Sequence, residues 1–471
     1  MEHHGLTKEH HQIKVQLTLL SFLQYFVWGA WLIPFSNFWF SHGSLWTSTQ
    51  FGNVFATMGI ASIFMPTLMG IVADRWINAE RLYGVLHVFY GISLFFLAQS
   101  SNPNSFYWLM LLSMLFYMPT IALSNAISYT ILKNYQIDEI KSFPAIRVWG
   151  TIGFIVAMWV TNLTGNKASE NQFYIGGVIA ILLGIYAFFL PKCAPKLNNK
   201  GNTNWLNALG LNAFVLFKDK KMLLFFLFSL LLGASLQLTN AYGDVFIDEF
   251  KRFPKYADSF AVKYSTIILS ISQISETLFI LAIPFFLKKF GIKNVMLMSM
   301  IAWVFRFGLL AFSNPNPLDG LWLIILSCII YGMAFDFFNI SGSLFVNSSV
   351  SSDKRSSAQG LFMMMTNGFG AVIGSTIAGY VIDKYYTLRF ENINLLSKYL
   401  QTDSKNQNLV QYLNGEKIEV NQFGVLSKSI EIKDWPNIWL TFAGYALVVA
   451  ILFAVLFKHK HNPDEIGEIS H

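Results

Sequence analysis

The feature that most constrains this chain is the recurrence of apolar stretches long enough to cross a bilayer. They fall at about 15–41, 50–73, 82–99, 106–132, 147–163, 173–190, 222–243, 262–287, 294–312, 321–345, 357–382 and 437–457, each close to or above the roughly 20 residues a spanning helix needs. Inside hydrocarbon only helices and closed barrels satisfy their own backbone hydrogen bonds. The pattern therefore predicts an all-α membrane protein of twelve transmembrane helices, with both termini on one side. Of the 471 residues, 54% are hydrophobic and 13% charged. That balance excludes a soluble enzyme, a disordered chain and a single-span receptor.

Basic residues orient the bundle. Lys8, Lys14, Arg75, Arg81, Lys133, Lys141, the lysines of the central linker, Lys288, Lys289, Lys293, Lys354, Arg355, Lys458 and Lys460 fall on the side of the termini. The loops 42–49, 100–105 and 313–320 on the other side carry none, and 164–172 carries only Lys167. The exceptions are the 244–261 connection, with three, and the 383–436 insert, with seven, long segments mixed with acids that count little in this rule. The termini are read as cytoplasmic, and the net charge of +7 as a product of topology rather than a nucleic-acid footprint. The polar, His-rich start does not read as a signal peptide. His3, His4, His10 and His11 have no companion Cys or carboxylate pair at ligand spacing, and Cys193 with Cys328 makes neither a disulfide framework nor a zinc site. No metal is expected.

The predicted organisation is a tail (1–14), a six-helix half (15–190), a linker (191–221), a second half (222–457) and a tail (458–471). Leu112, Ser113, Tyr117 and Asn125 are matched by Leu326, Ser327, Tyr331 and Asn339, and Pro66 by Pro284, at offsets of 214 and 218 residues. Parallel six-helix halves are a transporter architecture with its binding site at the midplane between them. Within the linker, Trp205, Leu206, Leu209, Phe214 and Leu216 suggest a short amphipathic surface helix. The polar stretch 384–435 is expected outside, as a small cap or a mobile loop.

A charge at the bilayer centre costs about 2.5–3.5 kcal/mol on insertion scales, so such residues face the bundle interior and usually carry function. Only Glu276 and Asp336 among the acids, and Arg147 and Arg306 among the bases, lie deep in apolar segments. Arg147 shares a helical face with Thr151 and Phe154, Gln237 with Asn240, Gln273 with Glu276, and Tyr331 with Phe335, Asp336 standing alongside. Acids, one guanidinium, amides and aromatic rings together suit a polar, ring-bearing, neutral solute. Each also has a plainer reading: Arg147 as a juxtamembrane base, the amides as interhelical glue, the rings as packing, and Arg306 as a snorkelling residue. Burial and nearby charge decide whether a carboxylate holds a proton, so alternating access can load and release one. Asp336 paired with Arg147 is the first candidate for this coupling, and Glu276 the second.

Gly70-Ile-Val-Ala-Asp74-Arg75 after the second stretch resembles the conformational loop of the major facilitator superfamily, although Ile77-Asn78 replace its glycine and basic residue. The strings Leu17–Gly29, Ile146–Phe154, Ser270–Phe279, Ala334–Ser343 and Ser356–Gly368 closely resemble the bacterial nucleoside–proton symporter family, its nucleoside permease branch in particular. The resemblance implies uptake of purine and pyrimidine nucleosides with protons across the bacterial cytoplasmic (inner) membrane, with no cofactor beyond the coupling proton. It also implies that Arg147, Thr151, Phe154, Gln237, Asn240, Gln273, Glu276, Tyr331, Phe335 and Asp336 line the nucleoside site. Ribose would then meet Gln273 and Glu276, and the base Phe154, Phe335, Gln237 and Asn240. Rival readings are a sugar–proton symporter of the same fold and a nucleoside sensor that does not transport. An enzyme acting on lipid-linked substrates would need a catalytic constellation, and none stands out. A monomer suffices for a single-site carrier.

Overall fold

The computed structural model describes residues 2–195, 211–351, 355–415 and 418–459. The apolar stretches fold as helices, and their ends follow local sequence. Glu2–Gly29 leads through a break at 30–34 into Phe35–Phe40. Ser48–Arg75 begins with a capping box in which Thr47 and Gln50 satisfy each other's backbone N–H. Ala79–Ala98 follows, then Pro103–Asn134, capped by Asn102 and started by a proline whose missing N–H costs nothing there. Asp138 caps Glu139–Leu163 and Asp219 caps Lys220–Asp248, with Asn171–Ala187 between them.

The second part of the chain continues through the short helices Phe260–Lys263 and Ser265–Leu269 into Ile271–Ala311. That run is broken at Gly291, whose φ of 75° and ψ of 167° are essentially closed to residues with a Cβ. Leu321–Ser349 follows. Arg355–Met363 and Ala371–Tyr385 are joined by a π-helical turn, Met364–Gly370, and Trp435–Leu456 ends the bundle. Among the described residues nine helical segments are long and apolar enough to cross a membrane, and Asn171–Ala187 is a shorter apolar helix.

Helix pairs meet at glycines, which let backbones approach where lipid offers no hydrophobic drive for association. A methyl on Gly84 would lie 2.8 Å from the Gly184 carbonyl, and one on Gly184 equally close to that of Gly84. Gly29 faces the Phe154 carbonyl, and Gly153 faces that of Phe22. A methyl on Gly59 would lie 2.7 Å from the Gly368 carbonyl, and one on Gly332 2.6 Å from the Ser275 backbone. Outward, apolar side chains such as Trp108, Phe189 and Leu281 are exposed, a surface suited to lipid.

Two parts differ from the sequence-based expectation, and a third takes one of the two forms expected of it. Residues 2–14 of the expected tail form the first turns of the Glu2–Gly29 helix, with Ile13 already buried. Of the expected linker helix, Trp205, Leu206 and Leu209 lie outside the described residues. Phe214 and Leu216 sit in a 3₁₀ turn, Leu211–Lys218, anchored by Phe217 against Phe226 at 5.4 Å. The stretch 384–435 is a folded cap: strand β1 (Thr387–Asn392) pairs antiparallel with β2 (Val425–Lys433), beside helices Ile393–Tyr399 and Gln407–Gly415. Leu396, Leu400, Leu409, Ile430 and Ile432 give it a core of its own.

Candidate substrate site

A cavity of about 350 Å³ lies within the helix bundle. The Glu139–Leu163 helix contributes Arg147, Thr151 and Phe154, and the Lys220–Asp248 helix contributes Gln237 and Asn240. Ile271–Ala311 adds Gln273 and Glu276, and Leu321–Ser349 adds Tyr331 and Phe335. Nine of the ten sequence-predicted residues therefore meet on one wall. Asp336 does not. It is buried behind that wall, one turn from Gly332 on the helix face that packs against Ser275 and Glu276.

Arg147 is half-buried, two turns inside its helix rather than at the end, so the juxtamembrane reading fails. Its guanidinium lies 4.1 Å from the centre of the Tyr25 ring, a cation–π contact. Its acidic electrostatic neighbour is Glu276, and Asp336 in turn interacts with Glu276. Arg147 and Asp336 form no ion pair among the described residues; Glu276 is the charged group that each of them feels. The rotation of about 100° per residue that puts Phe335 on the wall carries Asp336 off it.

Aromatic rings bracket the cavity. Trp28 meets Phe154 edge-on at 6.1 Å, and Tyr331 lies parallel to Phe335 at 6.0 Å with 6° between planes. Arg306 is neither on this wall nor at a surface. Its Nη1 donates to the Ser327 carbonyl at 2.7 Å, and its guanidinium backs the Tyr331 ring at 4.5 Å. Trp28 Nε1 and Gln273 Oε1 are buried without a partner among the described residues, so the wall presents an unused donor and acceptor, as a site for a polar ligand does. Tyr25, Trp28, Met58, Ser62 and Asn367 complete the surroundings. Sequence reasoning did not assign them, although Tyr25, Trp28 and Asn367 sit in strings that carry the family resemblance.

The bundle is latched at one end. Lys167 Nζ pairs with Asp248 at 2.7 Å and donates to the Val262 carbonyl at 2.6 Å and to Ser265 Oγ at 3.0 Å. Asn162 bridges to the Lys263 carbonyl and the Ile267 N–H, Trp159 donates to Ser270, and Thr49 donates to Asp383 at 2.7 Å. The cap joins in through Lys433, 2.8 Å from Glu249 and 3.6 Å from the centre of the Phe40 ring. Burial pushes the Lys433 ammonium below the usual lysine range, and Glu249 draws it back up. At the other end Gly70 and Asp74 line a small cavity with Ala126 and Cys193. Asp74 and Arg75 make no ion pair there among the described residues.

A multi-helix membrane bundle enclosing a polar, aromatic cavity latched at one end defines a multi-pass membrane transporter, not an enzyme. The family model described as "Nucleoside H+ symporter" matches residues 11–398, and the chain belongs to that family. It is 45% identical to the xanthosine permease of Escherichia coli (strain K12) over 454 residues, covering 96% of this chain and 98% of that one. It is 44% identical to the nucleoside permease NupG of the same organism, covering 95% and 97%. A crystal structure of nucleoside transporter NupG superposes with a TM-score of 0.79 at 43% identity, covering 95% of this chain and all of that one. A bacterial homologue of the lysosomal transporter Spinster shares the fold at 12% identity and a TM-score of 0.64.

Proposed function

We propose that this chain imports purine and pyrimidine nucleosides together with protons by alternating access, one nucleoside at a time, in the cavity lined by Arg147 and Glu276. Twelve spans form two six-helix halves, 15–190 and 222–457, in a bacterial inner membrane with both termini cytoplasmic. In that orientation the latched end is the outer one. The Gly70–Arg75 loop serves the inner gate, and the wall is complete within one chain.

The observation that carries this reading is the convergence of ring pairs, amides and an acid–guanidinium neighbourhood on one cavity of about 350 Å³. That volume is at the small end for ligand pockets, which fits a single nucleoside. Phe154 and Phe335 offer faces to a base, and Gln237 and Asn240 can hydrogen-bond its edge. Gln273 and Glu276 can accept hydrogen bonds from ribose hydroxyls. Glu276 is an electrostatic neighbour of both Arg147 and Asp336, so rocking of the halves that changes its distance to Arg147 changes the cost of its charge. Glu276 is the first carrier of the coupled proton and Asp336 the second.

The test is uptake of labelled uridine into proteoliposomes with and without an inward proton gradient. Accumulation that a protonophore abolishes is expected. Equal competition by free ribose and uridine would replace the reading with a sugar symporter, and binding without uptake would replace it with a sensor.

A further inference from the structure

The Thr366-Asn367-Gly368 segment carries family resemblance, and Asn367 lines the cavity but has been given no role there. It lies in the π-helical turn Met364–Gly370. Such a turn holds one extra residue, which rotates everything beyond it by about 100° relative to an uninterrupted helix, and it recurs at functional sites. Here both flanks are clamped. Gly368 packs on Ile63, where a methyl would come within 2.7 Å, and Gly370 packs against the Leu230 carbonyl, while Gly233 faces the Thr366 carbonyl from the neighbouring helix. The turn is thereby fixed with Asn367 on the cavity wall.

Asn367 is poorly occupied there. Its Nδ2 has a single contact, 3.5 Å to Met363 Sδ, and its Oδ1 has no hydrogen-bond partner among the described residues. Asn367, Phe335 and Leu236 also line a narrow cleft that runs on from the main cavity past Asn339 and Trp303. Trp303 is fully buried, and its Nε1 has no partner among the described residues. The cleft itself, about 10 Å³, has room for no more than a water, so a ligand meets Asn367 from the main cavity beside Phe335.

We propose that Asn367 is a specificity-determining residue that reads the hydrogen-bonding edge of the nucleobase, its Oδ1 accepting a ring N–H from a base stacked beside Phe335. This rests on the nucleoside reading of the cavity. An amide presents donor and acceptor side by side and so pairs with a base edge in bidentate fashion. A site built to hydrogen-bond an N–H discriminates strongly against an analogue that lacks it, because the buried acceptor is then left bare.

The experiment compares uridine with N3-methyluridine, which carries a methyl in place of that N–H, as competitors of labelled uridine uptake. Wild type is expected to prefer uridine by tenfold or more. Asn367→Leu, similar in size but without polar atoms, should bring the two within about twofold. Asn367→Asp, which keeps the shape and the acceptor, should retain the preference even where its overall affinity falls, and it settles the matter if the leucine variant does not reach the membrane. Free ribose should compete equally weakly with all three proteins. Wild-type preference persisting in Asn367→Leu, its absence in wild type, or its loss in Asn367→Asp would each overturn the role of Asn367. Wild type that takes up no uridine would instead bring down the nucleoside reading, and this proposal with it.

Discussion

Removing the Lys167 ammonium should unlatch the outer end. Lys167→Ala deletes an ion pair of 2.7 Å to Asp248 and hydrogen bonds of 2.6 and 3.0 Å to Val262 and Ser265. Both charged side chains are largely buried, 15% and 6% exposed, so solvent screening discounts the pair less than it would at a surface. Asp248 is not left bare, because Lys251 holds its other oxygen at 2.6 Å. The loss is therefore that of charged hydrogen bonds, about 2–3 kcal/mol in all, and not the larger penalty of an orphaned buried charge. Opening breaks these contacts in wild type too, so the whole loss falls on the latched state and shifts the equilibrium about 30- to 160-fold toward outward opening. The assay is the labelling rate of a cysteine introduced at Ile33, on the cavity wall, by a membrane-impermeant thiol reagent added outside. Native Cys193 and Cys328 are buried and give a low background. Labelling should rise by that factor in Lys167→Ala and little in Lys251→Ala. An unchanged rate, or an equal rise in both, would refute the assignment of Lys167 as the latch.

Glu276→Gln should abolish gradient-driven accumulation while leaving uridine exchange between preloaded vesicles and medium, because the amide keeps a hydrogen bond to ribose but carries no proton. Asp336→Asn, off the wall, should lower accumulation with less effect on the half-saturating uridine concentration; a larger effect on binding than Glu276→Gln has would reverse the two roles. Arg147→Lys keeps the charge but loses the planar group over Tyr25, and the uridine concentration for half-maximal uptake should rise about tenfold. Gly153→Val would drive a branched side chain into the Phe22 backbone. It should lower the thermal unfolding midpoint in detergent by several degrees, as overpacking at a cost of about 1–3 kcal/mol does.

The helices were legible because hydrocarbon imposes a length and a composition, and so was the short list of charges inside them, because few survive there without a task. Rotation about each helix axis was less legible. A soluble helix declares its buried face by the contrast between polar and apolar sides. Here lipid and core are both apolar, so only the sparse polar residues mark the inner face. Where two of them sit three or four apart, as Gln237 with Asn240 and Gln273 with Glu276, the face is fixed, and both pairs lie on the cavity wall. Asp336 and Asn339 have the same spacing, yet neither lines that cavity; there the spacing misleads, and one residue of rotation from Phe335 separates the wall from the packed interface behind it. Asn367 was hidden for a related reason. A π turn adds a residue that no periodicity announces, and the amide faces the cavity only because glycines on three segments let the backbones close around that turn. The glycines were in plain view, but their meaning depends on which helix crosses which, and that pairing is a property of the assembled bundle rather than of any one segment.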